Sequence, residues 1–222
     1  MQELIKQEQF ELEVLDRLNT ARLLGGIVFC GGTMLRLCYG LKRFSVDLDF
    51  WMASKTNAKS LFDKIKKCLV MSYDITDAAD KFYTLLFEVR SKRYPRALKI
   101  EIRKGEKKMS VRRAIAFSRF GSTQVILNTV SLQDMMEAKI NALIDRREIR
   151  DAFDIEFLVK RGIKPEAPAE KLEKAGKIIF SFAKNDYAVK LGSVLAAQDR
   201  EYYSAENFKI LLMAFGEESA GK

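Results

Sequence analysis

Two aspartates stand two residues apart, Asp47 and Asp49, in the stretch FCGGTMLRLCYGLKRFSVDLDFW. Side chains alternate across a strand, so residues two apart share a face. Val46, Leu48 and Phe50 then point to the core, and Ser45, Asp47 and Asp49 point the other way. Adjacent carboxylates repel, and each raises the other's pKa. A divalent cation removes that conflict, and oxygen-only ligation suits magnesium, held by one or two carboxylates plus substrate phosphates. The stretch LKIEIR repeats the device, with Lys99, Glu101 and Arg103 alternating against Leu98, Ile100 and Ile102. If the two strands are neighbours, Glu101 is a third carboxylate at one metal centre, flanked by Lys99 and Arg103 as phosphate or carboxylate partners. The alternative is an ordinary half-exposed strand with a polar face.

The glycine pair Gly31-Gly32 follows an apolar run directly. A strand, a tight glycine turn and a helix start expose backbone N–H groups where the helix dipole is positive, and phosphates can approach closely. A plain turn is the simpler reading of the same pair. Thr33 caps the helix or meets a phosphate. In RREIRDAFDIEFL, Arg150 and Asp154 are four apart and Asp151 and Asp154 three apart, so they share a helix face. Lys139 lies on the preceding helical stretch, and Arg146, Arg147 and Arg150 form a basic cluster suited to triphosphate or RNA, or to solvent.

These residues need elements to hold them. The spacing predicts a helix over 2–22 with Leu4, Ile5, Leu12, Leu15 and Leu18 buried, a strand over 27–30 and a short helix over 33–41. Further strands fit 45–51, 83–90, 97–103 and 124–129, with a basic amphipathic helix over 57–70 between the first two. After residue 130 the pattern is helical: 131–146 with Ser131 and Asp134 as a capping box, then 149–160, 169–184, 187–197 and 205–215, with 164–168 as a joint. This order suggests an α/β or α+β part with flanking helices over residues 1–130 and a helical part over residues 131–222.

The chain has no histidine, which excludes histidine-ligated zinc, Ser-His-Asp triads and histidine bases. Catalysis then rests on carboxylates, lysine, arginine and bound metal. Cys30, Cys38 and Cys68 are odd in number and irregularly spaced, so they predict thiols rather than a disulfide framework. No apolar run approaches the roughly 20 residues of a membrane helix, and the charged first residues do not resemble a signal peptide, so a cytoplasmic protein is expected. A formal net charge of +9 favours an anionic partner, with a merely basic surface as the alternative. The densest basic runs are 42–43, 64–67, 90–96, 99–113 and 146–150.

The glycine and aspartate pairs, then LKIEIR, then MEAKINALIDRREIRDAFDIEFL, together resemble the AbiEii/AbiGii toxin family of the DNA polymerase β-like nucleotidyltransferase superfamily. The resemblance runs from about residue 10 to about 162. It implies an α+β fold, in which a nucleotidyltransferase domain with a mixed β-sheet and flanking helices is followed by an all-helical domain, with the nucleotide between them. It implies Gly31 and Gly32 as the phosphate turn, Asp47 and Asp49 as the metal-binding pair, and Glu101 as the third acid. Lys139 and Asp154 match the lysine and aspartate of the helical domain whose loss inactivates such toxins, Asp151 and Arg150 lie in the same nucleotide-binding motif, and Lys139 with nearby arginines would hold the β- and γ-phosphates. Arg43 and Ser45 precede the aspartates and would touch phosphates. Gly32 stands where many superfamily members carry serine.

The expected chemistry is transfer of a nucleoside monophosphate from an NTP to a hydroxyl, with two Mg2+ ions bound alongside the nucleotide. The resemblance and the charge point to RNA, a tRNA 3′ end, as acceptor. They also point to a growth-inhibiting toxin with a cognate antitoxin. A small-molecule or protein hydroxyl is the alternative acceptor, and a catalytically silent RNA- or partner-binding module is the alternative class.

Overall fold

The computed structural model describes residues 1–105, 109–206 and 208–216. Glu106, Lys107 and Lys108 of the 99–113 basic run, and Asn207 within the expected 205–215 helix, lie outside the described residues. The chain divides into two compact units: Met1–Gly40 with Phe44–Ser131, and Leu41–Arg43 with Leu132–Lys222.

The first unit is built on a seven-stranded sheet. Its strands are β1 (Ile27–Cys30), β2 (Asp47–Met52), β3 (Asp74–Asp80), β4 (Thr84–Arg90), β5 (Leu98–Arg103), β6 (Val111–Phe117) and β7 (Gln124–Val130), in the order β3-β4-β5-β2-β1-β7-β6. The sheet is mixed. β2 runs parallel to β5 and β1 parallel to β7, and the other pairs are antiparallel. Three helices belong to this unit: α1 (Gln2–Thr20), α2 (Gly31–Tyr39) and α3 (Ala58–Val70).

The registers assign the faces. Leu48 and Phe50 on β2 stand beside Ile100 and Ile102 on β5, which stand beside Phe87 and Leu85 on β4. All six are buried, and Phe62 of α3 stacks on Phe87 at 5.0 Å, so this face is the core. Alternation sends Asp47, Asp49 and Trp51 of β2, with Lys99, Glu101 and Arg103 of β5, to the opposite face. Helix α1 buries Phe10, Leu12, Val14, Leu15 and Leu18, while Leu4 and Ile5 are only half-buried. It also buries Glu11, whose carboxyl is pushed well up by burial and by neighbouring Glu8.

Two strands escape the sequence pattern. β3 reads DITDAAD and is half polar, and β6 reads VRRAIAF with only Ala116 buried. Both are edge strands, where pairing needs no apolar alternation. Helix α2 begins at Gly31, taking the glycine pair into its first turn, and ends at Gly40 in the left-handed conformation. Asn57 caps α3 by accepting from the Ser60 N–H at 2.8 Å.

The second unit's described elements are all helical: α4 (Leu132–Arg146), α5 (Ile149–Lys160), α6 (Ala169–Phe180), α7 (Ala197–Glu206) and α8 (Lys209–Ala214). The helix expected over 187–197 is instead a π-type turn at Asp186–Leu191 and a 3-10 turn at Gly192–Val194. Helix α7 occupies residues assigned in part to a connection. Among the described residues no helix is long and apolar enough to cross a membrane.

Candidate active site

The glycine turn and the aspartates meet at one end of β1 and β2. Cys30 closes β1 opposite Asp49, and Gly31 follows with φ +79°. Only glycine holds that conformation without strain. Space demands glycine as well, because a Cβ on Gly31 would stand 2.6 Å from Asp49 Oδ2 and 3.1 Å from its Cβ. The helix start is therefore pressed against the carboxylate. Thr33 is fully buried, and its hydroxyl donates to the Asp47 carbonyl at 2.5 Å. It thus fastens the first turn of α2 to the start of β2, instead of capping the helix with its side chain.

The parallel pairing of β2 with β5 places Asp47 opposite Lys99 and Asp49 opposite Glu101. The third carboxylate predicted from LKIEIR is thus a direct neighbour of Asp49. Lys99 Nζ lies 2.7 Å from Glu101 Oε1, and this hydrogen bond raises the lysine pKa, with Asp47 and Asp49 adding to the effect. Asp47, Asp49, Lys99 and Glu101 are all half-exposed. Among the described residues no three acidic or thiol groups converge into a ready-made cation site. The donors still fit a hard cation: three oxygen-bearing side chains share one face, and Gly31 has no Cβ to crowd Asp49. That donor set suits a cation completing its shell with substrate phosphates.

The second unit gathers the other predicted residues into a network of three cations and two carboxylates. Arg43 grips Asp154 with both prongs, Nε to Oδ1 at 2.6 Å and Nη2 to Oδ2 at 2.7 Å. Lys139 Nζ lies 2.6 Å from Asp154 Oδ2 and 3.1 Å from Asp151 Oδ1. Arg146 adds a second fork to Asp151, at 2.7 Å on each oxygen. Arg43, Lys139, Asp151 and Asp154 are buried, while Arg146 keeps its side chain more than half exposed. Burial alone would raise the Asp154 pKa, but Arg43 and Lys139 together outweigh it and hold the carboxyl below its ordinary value. Arg150, predicted to share the face of Asp154, is exposed, and Ser45 is half-buried ahead of β2.

The Lys99–Glu101 bond is the carboxylate partnership expected of a lysine flanking Glu101. Other participants lay outside the sequence prediction or were given another role. Arg146 reaches Asp151 across the tight connection between α4 and α5, at a separation no single-helix rule covers. Trp51 is the next residue after Asp49 on the carboxylate face, and Arg103 is the next after Glu101. The Arg103 guanidinium lies 5.6 Å from the Trp51 ring centroid. Arg103 already stood in the alternation of β5, and extending that of β2 by one step, to Trp51, would have found the pair.

A sequence profile for "Nucleotidyl transferase AbiEii toxin, Type IV TA system" matches residues 13–207. No curated protein matches the chain. Among solved structures, JHP933 from Helicobacter pylori shares the fold at a TM-score of 0.57 and 21% identity, over 95% of this chain and 94% of that one. A second H. pylori structure, of a candidate nucleotidyltransferase, gives a TM-score of 0.57 and 20% identity, over 94% of this chain and 96% of that one.

Proposed function

Since the chain belongs to the AbiEii nucleotidyltransferase toxin family of type IV toxin–antitoxin systems, we propose that it transfers a nucleoside monophosphate from an NTP to a hydroxyl on RNA, at a tRNA 3′ end. The observation that supports this most directly is the row of carboxylates on one face of β2 and β5, pressed against the Gly31 turn. On this reading the first unit is the catalytic domain, residues 131–222 form a separate helical domain, and the protein works in the cytoplasm beside a cognate antitoxin.

The roles follow from position. The backbone N–H groups of Gly31 and Gly32 open α2 and receive the triphosphate, whose negative charge the helix dipole favours. Asp47 and Asp49, with Glu101 beside Asp49, would hold Mg2+, and the ion would neutralise charge on the attacking and leaving oxygens. Glu101 takes the proton of the acceptor hydroxyl. The hydroxyl oxygen forms its bond to the α-phosphorus as the bond to the bridging oxygen breaks, and pyrophosphate departs. Lys99 is placed to exchange its bond with Glu101 for one with phosphate. Positioning and charge stabilisation carry most of the rate in such a reaction.

Lys139, Asp154 and Asp151 act by position. Their buried network holds Arg43 within the second unit. Arg150 and Ser45 are assigned to phosphate contact. The test is incubation of the protein with Mg2+, each α-labelled NTP in turn and total tRNA, beside an Asp47→Ala, Asp49→Ala double variant. Label on RNA that vanishes in the variant is the expected result. Label on the protein itself, or none on any acceptor, would overturn the RNA assignment.

A further inference from the structure

We propose that Trp51 and Arg103 form a stacking platform for the terminal base of the acceptor strand, an assignment that rests on the nucleotidyl-transfer reading above. Three rows of residues succeed one another along one face of β2 and β5. Asp47 with Lys99 comes first, the Asp47 carbonyl held by Thr33 of α2; Asp49 with Glu101 follows, with Gly31 against Asp49; Trp51 with Arg103 comes last. Each step along a strand is about 3.3 Å, so the indole begins about 7 Å beyond Asp49.

In-line displacement orients the substrates on this face. The leaving pyrophosphate lies on the side of the glycine turn, where the helix N–H groups open. The attacking hydroxyl comes from the opposite side of the α-phosphorus; α2 is fastened to the Asp47 end of the face, and on this reading the acceptor enters from the other end, where Trp51 and Arg103 stand. A terminal nucleotide presenting its hydroxyl at Glu101 therefore brings its base over the third row. That row offers what an unpaired base needs. The half-exposed indole gives an aromatic face, and the exposed guanidinium, 5.6 Å from the ring centroid, gives a second planar and cationic one. Any base has a π-face, so the platform selects a single-stranded nucleotide end over a small-molecule or protein hydroxyl. It does not select among the four bases by hydrogen bonding.

Trp51 is the chain's only tryptophan, which makes its fluorescence a reporter of this one position. The wild-type protein is titrated with an eight-nucleotide single-stranded RNA, with the same RNA carrying an abasic 3′-terminal residue, and with each NTP. The intact RNA is expected to quench the fluorescence and to bind about ten- to hundredfold more tightly than the abasic one. In steady-state transfer, Trp51→Leu and Arg103→Met are expected to raise KM for the RNA by a similar factor and leave KM for the NTP unchanged. Trp51→Phe restores most of the affinity.

Equal binding of the intact and abasic RNAs by the wild-type protein overturns the platform, whether or not any variant folds. So does a rise in KM for the NTP instead of the RNA. If RNA quenches in the base-dependent way but no label is ever transferred, the platform stands and the transfer reading fails. If transfer proceeds but Trp51→Leu leaves KM for the RNA unchanged, the platform fails and the transfer reading stands.

Discussion

Gly31 meets two demands at once. Its φ of +79° suits only glycine, and the space a Cβ would need is taken by the carboxylate of Asp49, at 2.6 Å. Gly40 separates these demands, because it has φ +81° but nothing within 4 Å of a built Cβ. Each of Gly31→Ala and Gly40→Ala should cost about 1–2 kcal/mol of stability for the backbone alone. Gly31→Ala must in addition push Asp49 aside, so it should lose nearly all nucleotidyl transfer while Gly40→Ala keeps it. Thermal denaturation and the labelled-NTP assay, run on both variants, separate strain from chemistry. Activity retained in Gly31→Ala would show that the turn need not touch the aspartate pair. The glycine pair was visible in the sequence as a turn. The contact with Asp49 was not, because nothing in the sequence says that β1 and β2 pair with Cys30 opposite Asp49.

At the scale of elements, α4 and α5 are joined through charge. Their facing residues Lys139, Asp151 and Asp154 are buried, and Arg43 and Arg146 complete the set. Removing one partner from such a network leaves a buried charge without compensation, at a cost of about 3–5 kcal/mol. Asp154→Asn should therefore lower the melting temperature by many degrees at neutral pH. The pH dependence has a definite sign. Asp154 is held below its ordinary value in the folded protein, so its contribution is complete above the unfolded pKa, near 3.9. It is lost as pH falls through the lowered folded value. The gap between wild type and Asp154→Asn should be constant from about pH 5 upward and shrink only in strong acid; a gap that shrank on raising the pH would contradict the pairing. Helical spacing had already placed these acids on one face, since period 3.6 is a local property. The partners Arg43 and Arg146 come from outside that helix and are set by tertiary placement. The same limit hid β3 and β6, whose half-polar edge sequences carry no period-2 signal, while the buried β5, with Leu98, Ile100 and Ile102, read clearly.

For the whole molecule, the net charge of +9 distinguishes the candidate acceptors better than any one site. Part of that charge is locally neutralised: Arg93 pairs with Glu13, Arg96 with Glu3 and Lys59 with Asp63. Exposed pairs of this kind add little stability. Other cations stand in exposed runs, notably Lys64, Lys66 and Lys67 on α3, and Arg112 and Arg113 on the edge strand β6. An RNA seated across about five phosphates releases its counterions on binding and should lose about two to three orders of magnitude in affinity between 50 and 200 mM salt. A small acceptor has no such atmosphere to release and should change by less than about tenfold. The measurement is the KM for acceptor against salt at saturating NTP, with kcat followed in parallel. A steep rise in KM at constant kcat identifies a polyanionic acceptor held by diffuse charge. A flat KM with transfer intact would show that the basic surface serves something other than the substrate, and would move the acceptor to the class of small hydroxyl compounds.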